Sequence, residues 1–282
     1  MPTVALLLVL VAAFAHAAWN LFAKTAEGGT TFVWLSALAG VVLYLPALVV
    51  ALVVAPGRLG AVALGFMVGS GLLHSLYFVL LQRGYRDGDL SLVYPLARGT
   101  GPLLSTAAAV AFFAERPSPL ALAGSALIVG AVLSLTARPR GSAGAATAFA
   151  LLTGVSIAAY TLWDKQAVGD QSVSPIIYLW GLQLVNTMVL SAWVLRRPER
   201  IVSTWRNSRR QVLGVGLLSP GAYILVLYAL ERAPVSYVAP AREVSILIAT
   251  ALGTTVLAEE GLGHRLVAAG GIVLGIAALA IG

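Results

Sequence analysis

Leu90 to Glu115 reads LSLVYPLARGTGPLLSTAAAVAFFAE, an apolar run long enough to cross a membrane with an arginine, Arg98, inside it. A charged side chain at bilayer depth is costly, so it faces protein or a wet cavity and not lipid. Pro95, Gly101 and Pro102 flank that arginine. Backbone groups freed by proline and glycine are tolerated at such depth only beside packed protein or a cavity. The motif then recurs. Ser91-Leu92-Val93-Tyr94-Pro95 is echoed by Ser236-Tyr237-Val238-Ala239-Pro240, Ala97-Arg98 by Ala241-Arg242, and Ala114-Glu115 by Ala258-Glu259.

The rest of the chain agrees with a membrane setting. Of 282 residues, 59% are hydrophobic and 10% charged, against roughly 25% charged in a soluble domain. The net charge of +7 sits between apolar runs, which reads as positive loops and not as a nucleic-acid interface. The absence of cysteine excludes disulfides and thiolate metal sites, and no cofactor or metal is expected. Met1-Pro2-Thr3 lacks a basic leader, so the first apolar run is expected to be a retained span.

A span needs about 20 apolar residues. Ten runs qualify, near 3–23, 31–54, 60–82, 90–113, 118–136, 145–164, 174–195, 210–230, 235–257 and 264–281. The stretch Ala17-Ala18-Trp19-Asn20-Leu21-Phe22-Ala23-Lys24 matches Ala158-Ala159-Tyr160-Thr161-Leu162-Trp163-Asp164-Lys165, and the later echoes lie about 144 residues apart. Two repeats of five spans, residues 1–140 and 141–282, must enter the membrane from opposite sides because five is odd. The expected fold is therefore all-α and integral to the membrane: ten transmembrane helices as two inverted five-helix repeats around a central cavity. Loops after the odd-numbered runs hold Lys24, Arg83, Arg86, Arg138, Arg140, Arg265 and six arginines between 196 and 210. The positive-inside rule puts those loops in the cytoplasm and both termini outside.

Candidate substrate contacts follow from helical spacing. His16 and Asn20 share a face with Lys24, with Trp19 beside them; His74 and Tyr77 share another; Tyr94 and Arg98 are one turn apart, with Ser91 a turn earlier; Ser156, Tyr160 and Asp164 form a third stripe; Tyr223, Tyr228, Arg242 and Glu243 complete the set. A few polar groups among aromatic rings is the make-up of a small-molecule site. Arg98 and Arg242 suit carboxylate or phosphate. Arg242 and Glu243 point about 100° apart on a helix, so Glu243 is expected to reach Arg98 across the two halves. His16 and His74 are alternatives to Glu243 for carrying a coupled proton. Lys24, Asp164 and Lys165, at span ends, are expected to snorkel, and Glu115 and Glu259 to cap helices. The small-residue pairs Gly65/Gly69 and Gly271/Gly275 are expected to serve packing within the chain. Enzyme signatures are missing: the sequence has no H-E-x-x-H, P-loop or nucleophile elbow.

His16-Ala17-Ala18-Trp19-Asn20, Tyr94-Pro95-Leu96-Ala97-Arg98-Gly99 followed by Pro102, Ala241-Arg242-Glu243, Glu115 and Glu259 resemble the drug/metabolite transporter superfamily, specifically its EamA-type ten-span members. The resemblance covers the chain from end to end. It implies a bacterial inner-membrane carrier, monomeric or homodimeric, that exports metabolites, amino acids or drugs, often by proton exchange. It also implies cytoplasmic termini, against the loop charges, and the charges are followed here. The function expected is a secondary exporter of a small anionic or zwitterionic metabolite, by alternating access. A proton antiporter of lipophilic cations and a lipid-handling membrane protein are the alternatives.

Overall fold

The computed structural model describes residues 1–54, 60–88, 90–135, 144–248 and 262–282, with the side chains of residues 90, 91 and 262–266 left aside. The described chain is helical: α1 (Thr3–Lys24), α2 (Thr30–Leu43), α3 (Leu45–Val54), α4 (Ala61–Asp87), α5 (Leu90–Phe112), α6 (Pro119–Ser134), α7 (Gly144–Lys165) running on as a π-helical turn (Gln166–Asp170), α8 (Pro175–Val194), α9 (Glu199–Arg232), α10 (Val235–Ala241), residues 244–248, and α11 (Leu262–Ile281). On α1, Ala5, Val9, Ala12, Ala13 and Ala17 are buried, while Val4, Leu7, Val11 and Phe14 are exposed. Both faces are apolar, so the exposed one has lipid as its solvent. This is an integral membrane protein.

Among the described residues five helices have the length and hydropathy of a crossing: α1, α4, α7 with its π turn, α8 and α9. The pair α2 and α3, bent by 41°, makes a sixth. The bend falls at Tyr44, just before Pro46, which has no N–H to give to the turn behind it. The other segments fall short for visible reasons. The middle of α5 holds Arg98 to Pro102, α6 has 16 residues, and α10 has 7. The arginine-rich stretch expected to be a loop is largely helical: α9 begins at Glu199 and changes direction at Ser208, whose backbone is non-helical.

Helices of the two halves interleave. α1 packs on α9 and α7 on α4; α2 packs on α9 and α8 on α4; α2 meets α8, and α6 meets α11. The contacts repeat in detail. A Cβ on Gly216 would lie 3.0 Å from the Ser36 carbonyl and 2.8 Å from the Ala39 Cβ, and one on Gly71 would lie 3.0 Å from the Leu182 carbonyl and 2.6 Å from the Val185 Cβ. Likewise Phe22 lies on Gly214, as Trp163 does on Gly69. Gly271 and Gly275 pack on α6, while a Cβ on Gly65 would meet nothing within 4 Å among the described residues.

Glu115, after α5, accepts the backbone N–H groups of Val235 and Ser236 at 2.7 and 2.9 Å. A carboxylate there satisfies the orphan donors that open α10 and complements its dipole. Glu259 lies outside the described residues.

Candidate functional site

The interleaved helices leave a cavity of about 180 Å³ between the halves. Its wall takes His16 and Trp19 from α1, His74 and Tyr77 from α4, Arg98 from α5, Tyr160 from α7, Ser219 and Tyr223 from α9, and Arg242 just past α10. α8 contributes Leu179, Leu182 and Gln183. Val9, Ala12, Ala13, Ala222 and Val226 supply small apolar surface.

Two arginines face this space in different states. Arg98 is 6% exposed and is gripped from the other half of the chain: its Nε donates to Glu243 Oε2 at 3.0 Å, and its Nη2 lies 2.9 Å from Oε1. Two parallel charge-assisted bonds are the strong geometry for this pair, and at this burial both charges need it. Glu243, itself 3% exposed, does not reach the cavity wall.

Arg242 is placed by a break. After α10 the backbone tightens, Glu243, Ser245 and Ile246 donating three residues back to Pro240, Arg242 and Glu243. One residue of this break thereby turns to the cavity and the next to Arg98. The Arg242 guanidinium stands over the Tyr223 ring, 5.4 Å from its centroid, and has no carboxylate partner among the described residues. A cation held over a ring face keeps its hydrogen-bond donors for another partner.

Behind Tyr223 sits a carboxylate. The Tyr223 hydroxyl donates to Asp164 Oδ2, and the Tyr178 hydroxyl donates to Oδ1 at 2.6 Å. Asp164 is fully buried, so it does not snorkel as expected. Its neighbour Lys165 is tied down too, donating to the carbonyls of Leu230 and Ala233 at 2.6 and 3.1 Å. The opposite wall is aromatic. His74 stacks on Tyr160 with centroids 4.1 Å apart, and Tyr77 and Tyr223 meet Tyr160 edge-on. A carbonyl only accepts, so His74 Nδ1 carries the hydrogen it gives to the Ser70 carbonyl at 2.9 Å. His16 lies edge-on to Trp19 at 4.8 Å.

A cavity between interleaved helical halves, lined by aromatic rings and arginine, is a place to bind a small molecule inside a membrane. The sequence model of the EamA-like transporter family matches residues 145–281. The second half of the chain is thus similar to the EamA-like transporter family. In fold, the chain is similar to a protein of known crystal structure at 18% identity, the alignment covering 98% of this chain and 96% of that one with a TM-score of 0.77. That likeness establishes the fold alone. No curated protein matches the sequence.

Eight of the ten expected contact residues stand in the cavity wall: His16, Trp19, His74, Tyr77, Arg98, Tyr160, Tyr223 and Arg242. Two do not. Asn20 donates to the His16 carbonyl at 2.8 Å, closing its own helical turn, and Tyr94 packs into the neighbouring core. Ser156 donates to the Leu73 carbonyl at 3.1 Å, which fastens α7 to α4, and Tyr228 carries Arg232. The side chain of Ser91 is outside the described set. Sequence reading missed Gln183 and Ser219, neutral residues with no charge to mark them, and misassigned Asp164. One signal for Asp164 was available: its counterpart in the first repeat is Ala23, so the carboxylate is an addition that packing alone does not ask for.

Proposed function

We propose that this protein is a secondary active exporter of a small organic anion, with Arg242 as the anchor for the anionic group. The observation that carries this reading is Arg242 standing in the cavity wall with no carboxylate within ion-pair distance among the described residues, while both nearby carboxylates are engaged. A cation entering this space meets no free carboxylate there, which weighs against a lipophilic-cation antiporter. The ammonium of an amino acid meets the same lack, which places an organic acid ahead of a zwitterion. The Tyr77, Tyr160 and Trp19 rings suit the apolar body of such a substrate. His16 and His74 are the groups available to a coupled proton.

The mechanism we infer is alternating access by ten spans in two inverted repeats, residues 1–140 and 141–282. The matching contacts of Gly71 on Leu182 and Val185 and of Gly216 on Ser36 and Ala39, and of Trp163 on Gly69 and Phe22 on Gly214, support it. The bent pair α2–α3 serves as one span, and α5, α6, α11 and the broken α10 segment as further ones. We assign the protein to a bacterial inner membrane, with both termini outside on the evidence of loop charge.

The test is thermal unfolding of the purified protein with organic acids, amino acids, sugar phosphates and lipophilic cations. A ligand at a hundred times its dissociation constant adds about 2.7 kcal/mol. An organic acid should stabilise the wild type and leave Arg242→Ala unmoved. Stabilisation by cations alone overturns the proposal.

A further inference from the structure

The arginines that follow α8 lie outside the cavity, and the transport reading makes no use of them. Arg196, Arg197, Arg200, Arg206, Arg209 and Arg210 are all exposed, and none has a side-chain acceptor among the described residues. Glu199 is the one acid between 196 and 210. Beyond the break at Ser208, residues 210–230 of α9 already span about 30 Å at 1.5 Å per residue, the thickness of the hydrocarbon. The first turns of α9 therefore lie at headgroup depth.

Those turns have two faces. Thr204 and Ser208 are buried, and Ile201 packs beside Phe32 and Leu35. On the outward side Val202, Trp205 and Arg206 fall on one helical stripe, with Val202 56% and Trp205 41% exposed, and Arg209 is exposed just past the break. Trp193 and Leu195, immediately before the arginines, are exposed as well. A soluble partner or free anion would leave these apolar side chains in water. A lipid surface takes both the apolar stripe and the charge.

We propose that this face is a docking site for anionic phospholipid, the guanidinium groups holding headgroup phosphates while Val202 and Trp205 sit in the acyl boundary. The docking face is also joined by a short path to a helix that lines the cavity. Ser208 Oγ accepts the Glu27 backbone N–H at 3.1 Å. Thr204 fills the space beside Gly28, where φ is +110° and a Cβ would come within 2.5 Å of the threonine. The start of α9 is thus fastened to the chain leaving α1, the helix that carries His16 and Trp19. The inference does not depend on what the cavity transports.

The test compares phosphatidylglycerol with phosphatidylcholine retained by the full-length protein in native mass spectrometry. Wild type should hold phosphatidylglycerol preferentially. Each arginine removed should cost about fivefold in affinity, so R200Q/R206Q/R209Q should lose about a hundredfold. The matching triple lysine variant should keep most of the preference, and R83Q/R86Q, exposed arginines elsewhere, should keep all of it. Unfolding midpoints in phosphatidylcholine micelles verify that the variants fold. If the triple glutamine variant does not fold, R206Q and R209Q singly should each show the fivefold loss. Equal retention of the two lipids, an equal loss in R83Q/R86Q, or displacement of phosphatidylglycerol by millimolar inorganic phosphate would overturn the proposal.

Discussion

Arg98 and Arg242 occupy matching places in the two repeats, each after an alanine and shortly after a proline, yet the chain uses them differently. Arg98 sits within an unbroken α5 and is locked to Glu243. Arg242 sits at a helix break and rests on a ring. The next position explains the divergence. After Arg242 comes Glu243, and after Arg98 comes Gly99, where a Cβ would lie 2.7 Å from Leu133 Cδ2. One repeat supplies an acid and the other has no room for a side chain. A single carboxylate therefore serves two arginines, and it can satisfy one.

The comparison can be broken most sharply at the ion pair. Glu243→Ala or Arg98→Ala strands a buried charge and should cost about 3–5 kcal/mol in detergent unfolding, and an apolar double replacement should recover much of that loss. Arg242→Ala should cost less than about 1 kcal/mol, since only a ring contact is lost. Equal losses at the two arginines would erase the distinction between them. Asp164→Ala comes next: it orphans the Tyr178 and Tyr223 hydroxyls, and a loss of about 1–3 kcal/mol is expected for a group left unpaired. The same unfolding assay reads it, with Ala23, already an alanine at the matching place, as the standing reference.

Gly99→Ala should cost about 1–3 kcal/mol by overpacking Leu133, at the low end if that side chain can turn away. The smallest effect sharpens the role of Arg242. Arg242→Lys keeps the charge and loses the planar stack, so ligand affinity by calorimetry should fall by on the order of 1 kcal/mol. An unchanged affinity would mean that charge alone holds the substrate.

The positions of Arg98 and Glu243 were legible in the sequence because a charge within an apolar run has few places to go. Helical spacing then fixed which neighbours share its face, and eight cavity residues followed. Asp164 was misread because sequence reports depth along a helix and not what packs beside it. Standing next to Lys165 at the end of a run, it looked like a wet residue until Tyr178 and Tyr223 closed over it. Gln183 carried no such mark, since a lone amide among apolar residues has no period and no charge. The broken α10 and the unbroken α5 both place a proline shortly before an arginine, three residues ahead in α5 and two in α10, and that one-residue difference does not by itself say which helix breaks. The arginine-rich stretch was read as a loop because its charge outweighed its inward residues, Ile201 and Thr204.

The link between Arg98 and Glu243 closes over 145 positions of chain. At about 5–20 residues per second of synthesis, Arg98 leaves the ribosome roughly 7 to 30 seconds before its partner exists. For that interval a nascent first half carries a cation in an apolar helix without the acid it meets in the fold. Until the second half arrives, that half carries the cost of a charge at bilayer depth, met by snorkelling or water. Timing during birth is thus written into the distance between two residues.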